Sequence, residues 1–151
     1  MLDDSDRRLL RQYQYAPDLS VADLAEQASV TPGTCARRLD RMREAGIIRA
    51  NQAVINWRAL GYEVEVSLRV TLEKSVPRAV DAFLAAARDV AEVVEIQTFL
   101  GRVDVRLSVI ARDLAHYQEI YRTALLALPH LADIEALMHV AQIKSDELLP
   151  I

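Results

Sequence analysis

The chain has 151 residues, enough for one domain of ordinary size or two small ones. Apolar residues make up 52% and charged residues 26%, which supports a packed core and excludes a disordered or low-complexity chain. The single cysteine, Cys35, excludes an intrachain disulfide and a four-cysteine zinc site, and the net charge of −4 excludes a chain that is basic throughout.

Three scattered histidines, His116, His130 and His139, show no metal-ligand spacing, so neither metal nor cofactor is expected. The opening MLDDSDRR is acidic and polar, and no apolar run approaches the ~20 residues of a membrane span. The expectation is a reduced, cytoplasmic setting with no membrane partner. Charge is uneven along the chain. Residues 1–50 hold eight arginines and eight acids, but residues 31–50 hold five arginines and two acids, a local +3. The other 101 residues, with ten basic and fourteen acidic groups, hold the whole −4. A locally basic face on an acidic chain can still bind phosphate, best when several such faces act together.

Asp3 to Tyr15 reads as a helix with acids favouring its N-terminal end and Leu9, Leu10 and Tyr13 as its apolar stripe. Pro17 stops it. Ser20 caps a second helix, whose buried side is Val21, Leu24, Ala25 and Ala28. A short turn, Ser29-Val30-Thr31, leads to the third. There Thr31 is the N-cap, Pro32 takes the first helical position, and Gly46 closes the end. At about 100° per residue, Cys35, Leu39 and Met42 share one arc, the core side. Thr34, Arg37 and Arg41 share the opposite arc, with Arg38 on its edge. Three helices with a short turn between the last two match a helix-turn-helix unit, and the exposed arginines suit a DNA major groove.

Residues 47–56 are too apolar for a free linker and are expected to hold a short strand; Asn56 to Gly61 is expected to form a helical turn around Trp57, a candidate anchor between domains. Tyr62 to Leu72 alternates apolar and polar residues, a half-buried strand. Ser75 and Pro77 are expected to start a helix with Val76, Val80, Phe83, Leu84 and Ala87 inside. Val93–Phe99 and Val103–Ile110 read as strands joined at Leu100-Gly101-Arg102. Asp113 caps a helix carrying Leu114, Tyr117, Ile120, Tyr121, Ala124 and Leu128, and Ile134–Ile143 is expected to be the last strand. Strand-helix-strand-strand-helix-strand is the ferredoxin-like arrangement, with both helices on one sheet face. The bare face, with Leu137 and Ala141 as candidate members, invites a second copy. The expected class is α+β. Residues 1–50 form a winged-type helix-turn-helix, 51–61 a structured linker, and 62–151 a ferredoxin-like βαββαβ domain.

The runs LDDSDRRLL and ADLAEQASVTPGTCARRLDRMREAGII, with Pro32, Cys35, Arg37, Arg38, Arg41, Gly46 and Ile48 at these spacings, resemble the Lrp/AsnC family of transcription regulators. The stretch GRVDVRLSVIARDLAHYQEIYRTALLALP resembles that family's ligand-sensing (RAM- or ACT-like) domain, with Gly101 and Asp104 in the frame of its glycine-aspartate turn. The resemblance implies a homodimer on double-stranded DNA, higher assemblies such as octamers, and a small effector, commonly an amino acid, between C-terminal domains. It gives Thr31, Thr34, Arg37, Arg38 and Arg41 to DNA, and Leu100, Gly101, Arg102, Asp104 and Ala136 to the effector region. Four residues depart from the family pattern: Leu100 and Ala136 replace threonines, Arg102 a small or acidic residue, and His130 a glycine. Arg102 favours an anionic or carboxylate-bearing effector. Asp104 has a second reading, as a carboxylate bonding the backbone of its own turn. Ferredoxin-like domains also host enzymes such as decarboxylases. No nucleophile-base pair, phosphate loop or clustered catalytic set is visible, so no catalytic residue is assigned.

Overall fold

The structure is a computed structural model describing residues 2–145 and 148–151. The chain divides into two compact units, Met1–Val54 with Lys144–Ile151, and Ile55–Ile143. The N-terminal unit contains α1 (Asp4–Tyr15), α2 (Val21–Gln27) and α3 (Pro32–Glu44). Each begins where a polar side chain can take an orphan backbone N–H. Asp3 and Asp6 cap α1 reciprocally, Ser20 accepts from Asp23 N–H, and Thr31 accepts from Thr34 N–H. Gly46 has φ +68°, the left-handed residue that closes α3. The core joins Leu9 and Tyr13 of α1 to Leu24, Ala25 and Ala28, and to Cys35, Leu39 and Met42 of α3. Cys35 is fully buried and its thiol is pushed up by burial, so it serves as a small apolar residue.

Two expectations about the unit boundaries are corrected. No strand occurs between α3 and Asn56 among the described residues; after a turn at residues 45–48 the segment has no regular secondary structure, with Val54 97% exposed. A strand needs a neighbour for its backbone groups, and one copy of this chain supplies none there. The tail from Lys144 belongs with the helices, not with the sheet. The Gln14 side-chain amide bonds both backbone groups of Leu149, at 2.9 and 3.1 Å, and Arg11 Nε donates to the Ile151 carbonyl at 2.6 Å.

The second unit opens with a 3-10 turn, Trp57–Leu60, closed by Gly61 at φ +88°. The Arg58 guanidinium stacks over the Trp57 ring. Then come β1 (Val64–Leu72), α4 (Ala79–Arg88), β2 (Val93–Thr98), β3 (Val105–Ala111), α5 (Leu114–Ile120) and β4 (Leu131–Met138). The sheet is antiparallel in the order β2-β3-β1-β4, the ferredoxin-like topology. Val66, Leu68, Val70 and Leu72 face Phe83 and Ala87 of α4 and Tyr117 and Ile120 of α5, together with Val105, Leu107 and Val109.

Three local readings shift. The helix expected from Ser75 starts at Ala79, because residues 74–78 form turns and a bend and Arg78 takes φ +61°. Its inner face is therefore Ala79, Phe83 and Ala87, while Val80 stands 41% exposed. After Ile120 the chain makes a π-helical turn, Tyr121–Leu125. Leu125, off the expected stripe, is fully buried in this wider turn, and Leu114, at the first helical position of α5, is half exposed. β4 begins at Leu131, three residues earlier than expected, and Ala141 lies beyond its end.

β4 starts early because His130 turns the chain in the left-handed conformation at φ +63°. That conformation costs a residue with a Cβ about 1–2 kcal/mol, which glycine avoids. Glycine loses more chain entropy on folding, so His130→Gly is expected to stabilise the protein by only about 0.5 kcal/mol. Denaturant midpoints check this, and a destabilised variant would show that the imidazole makes compensating contacts.

Candidate nucleic-acid interface

The candidate interface is built on α3. Its buried residues lock one side of the helix to α1 and α2, and its other side carries Arg37 and Arg41 exposed, with Thr34 half-buried near the N-terminus. Thr31 Oγ1 accepts the Thr34 N–H at 3.3 Å and donates to Thr34 Oγ1 at 2.9 Å. Thr34 thereby keeps its own O–H donor for an outside acceptor. Arg37 makes no ion pair among the described residues.

Arg38 and Arg41 have a partner that sequence reasoning missed. Asp6, fully buried on α1, accepts Arg38 at 2.7 Å and Arg41 at 2.6 Å through its two carboxylate oxygens. Arg38 also reaches Asp3 at 2.6 Å and is only 19% exposed. Arg38 is thus turned inward as a strut between α1 and α3. Arg41 is 56% exposed, so its guanidinium is braced on one edge and open on the other. Burial by itself would raise the Asp6 carboxyl, but hydrogen bonds from Arg38 and the Asp3 N–H, with the arginine charges, hold it below the ordinary value of 3.8.

The second region singled out in the sequence is the turn between β2 and β3. Leu100 is fully exposed, and a Cβ on Gly101 would meet nothing within 4 Å. The Arg102 side chain is exposed, and its carbonyl accepts from Thr71 Oγ1 at 3.1 Å. Asp104 braces the fold: it accepts the Leu72 N–H at 2.8 Å and pairs with Lys74. The Leu72 hydrogen bond first, and Lys74 second, hold its carboxyl below the usual range. Asp104, Leu72, Lys74 and Arg78 line a cavity of about 200 Å3. Ala136 is not there. It pairs with Leu68 in β4, faces the helices, and lines another cavity of about 290 Å3. One chain therefore does not bring Ala136 to the turn.

A braced basic helix and a separate ferredoxin-like unit with cavities define a DNA-binding regulator joined to a ligand-binding domain. Residues 65–149 match the family model described as the Lrp/AsnC ligand binding domain, and residues 2–49 match the one described as winged helix-turn-helix DNA-binding. The chain belongs to the Lrp/AsnC family of transcriptional regulators. It is 31% identical to the proline dehydrogenase transcriptional activator of Rhodobacter capsulatus, over 87% of this chain and 86% of that protein. It is 29% identical to the leucine-responsive regulatory protein of Rhizobium meliloti, over 95% of this chain and 92% of that one. The transcriptional regulator NMB0573 of Neisseria meningitidis, solved as an L-Met complex, superposes with a TM-score of 0.93 at 25% identity, covering 99% of this chain and 97% of that one. No wing strand follows α3 among the described residues, and no helix is long and apolar enough to cross a membrane.

Proposed function

We propose that this regulator binds a pseudo-palindromic duplex as a homodimer, with its two α3 helices about 34 Å apart in successive major grooves. The observation that carries the reading is the exposed Arg37, without an ion pair among the described residues, beside the half-open Arg41 fork and the Thr34 hydroxyl. A guanidinium donates in parallel to a guanine edge or to a phosphate, and a hydroxyl at the helix start suits either. Thr31 sets the entry of the helix. Arg38 supports the interface from behind.

A second copy is supported by two features. The segment around Val54, without regular secondary structure of its own, offers the exposed apolar side chains of Val54 and Ile55 to a neighbour. The bare sheet face carries Ile110 and Leu137 among charges already paired, Arg69 with Glu135 and Arg106 with Glu95, so covering it leaves those charges matched. Octamers built from such dimers extend the same reading. Its relatives are regulators, which supports a non-enzymatic role in the cytoplasm.

A small carboxylate effector is read between neighbouring C-terminal domains, beside Leu100–Asp104, where the exposed Arg102 supplies positive charge. The L-Met complex of the Neisseria meningitidis protein supports the amino-acid class. The effector would act by its different affinity for two assembly geometries. A gel shift on the DNA upstream of the protein's own coding sequence tests the DNA reading, with light scattering for the assembly. The expected result is a shift that survives random competitor, from a dimer or larger. No shift at micromolar protein overturns the DNA reading, and a monomer overturns the assembly.

A further inference from the structure

Four arginines lie on α3, and three of them pair with acids: Arg38 with Asp3 and Asp6, Arg41 with Asp6, and Arg43 with Asp40 at 2.9 Å. Asp3, Asp6, Arg38 and Arg41 together are two anions and two cations, so their charges cancel. The face is therefore less positive than its arginines suggest, although indiscriminate attraction to phosphate grows with the number of cations presented. The acid at the centre of this cluster, Asp6, is fully buried. Its carboxylate is held from three sides. The Asp3 N–H donates to Oδ2 at 3.1 Å, Arg38 donates to Oδ1 at 2.7 Å, and Arg41 Nη2 donates to Oδ2 at 2.6 Å. A guanidinium carries five N–H donors in one plane, and this bond uses only one of them. Arg41 is 56% exposed, so a fixed acceptor stands behind a fork that is open in front.

We propose that Asp6 is a positioning residue that sets sequence specificity: acting through Arg41, it raises the preference for operator over random DNA. The proposal rests on the DNA reading given above. Asp6 itself touches no DNA, because it is buried behind the helix. Its first effect is direction. An arginine without a brace loses rotamer freedom when it binds, whereas Arg41 presents its plane already fixed. A fixed plane suits a guanine edge, which accepts two parallel bonds at one position only. Its second effect is on charge. Phosphates are offered by every sequence, and a guanidinium whose charge is offset from behind gains less from them. Both effects act on the ratio of operator to random affinity. A merely structural acid would lower the two affinities together.

Fluorescence anisotropy of the full-length protein tests this, on a duplex from its upstream DNA and a random duplex of equal length, at about 50 to 200 mM salt. Asp6→Asn gives each subunit one more net positive charge, which is expected to tighten random binding about threefold per subunit, about tenfold for a dimer. The slope of log affinity against log salt should steepen by about one per subunit. Operator affinity should move by less than about threefold, so the ratio falls about tenfold. Asp6→Glu keeps the charge but displaces the acceptor by one methylene, so it should lower the ratio with the slope unchanged. Asp40→Asn adds the same charge to α3 and leaves Arg41 braced, so it should raise both affinities and keep the ratio. In an Arg41→Ala background, Asp6→Asn should lower the ratio no further. An unchanged ratio in Asp6→Asn overturns the proposal, as does an equal loss of both affinities with a lower unfolding midpoint. An equal fall in Asp40→Asn makes charge alone the cause and overturns the positioning. A fall that persists in the Arg41→Ala background overturns the route through Arg41. A parent with no preference for its upstream DNA overturns the DNA reading itself, and this proposal with it.

Discussion

Asp6→Ala is expected to destabilise the N-terminal unit by about 3 kcal/mol, read as a lower urea midpoint in its unfolding transition. Asp6 is fully buried and ties two arginines of α3 to the first turn of α1. Its removal leaves the Arg38 guanidinium, 19% exposed, with Asp3 alone, and Arg38 Nε already lacks a partner. Breaking one side of a buried ion pair costs about 3–5 kcal/mol, and the half-exposed Arg41 places this case at the lower end. The same carboxylate gives a pH dependence. Its folded pKa is depressed, so the stability it contributes is fully present above the ordinary value of 3.8 and is lost as pH falls through the folded value. Asp3, held down by the same Arg38, adds in the same direction. Asp6→Asn should therefore flatten the acid limb of the stability curve while keeping an acceptor in place. An Asp6→Ala variant within about 0.5 kcal/mol of the parent would sink the strut.

Much of this architecture was legible because its causes are local. Ser20, Thr31, Gly46 and Gly61 mark ends of helices through their own side chains or backbone freedom, so they can be read without neighbours. The alternation in β1 is equally local, and the sheet order follows from the element order. What could not be read depends on partners distant in sequence. Asp6 was visible as an acid in a first turn, yet its role as anchor for Arg38 needs helices α1 and α3 already packed. The stripe of the last helix was legible at Tyr117, Ile120, Tyr121, Ala124 and Leu128, whereas the π turn that also buries Leu125 was not, because the apolar pattern does not fix the winding. Gln14 gripping the tail carries no signal at all, since glutamine on a helix is ordinarily solvated. The regulator face was legible as a set of arginines with Arg38 at its edge, whereas the inward pairing of Arg38 with Asp3 and Asp6 was not.

That sorting makes Arg37 and Arg38 separable by experiment, although they are adjacent. Arg37→Ala is expected to weaken operator binding by about 1–3 kcal/mol, roughly 5- to 150-fold, if its guanidinium reads a guanine edge. Thermal stability should barely move, because the side chain is exposed and pairs with nothing described in its own chain. If the contact is a phosphate, affinity should fall evenly across sequences and the slope of log affinity against log salt should shrink by about one. Arg38→Ala should show the opposite balance. It strips the buried Asp6 of one of two cations and removes the link to Asp3, so the unfolding midpoint falls. Well below that midpoint the folded fraction is still near unity, and α3 keeps Leu39, Met42 and Cys35 in the core, so operator affinity should stay within a few-fold of the parent. Equal losses of affinity in the two variants, with equal stability, would place both guanidiniums on the DNA and remove the distinction.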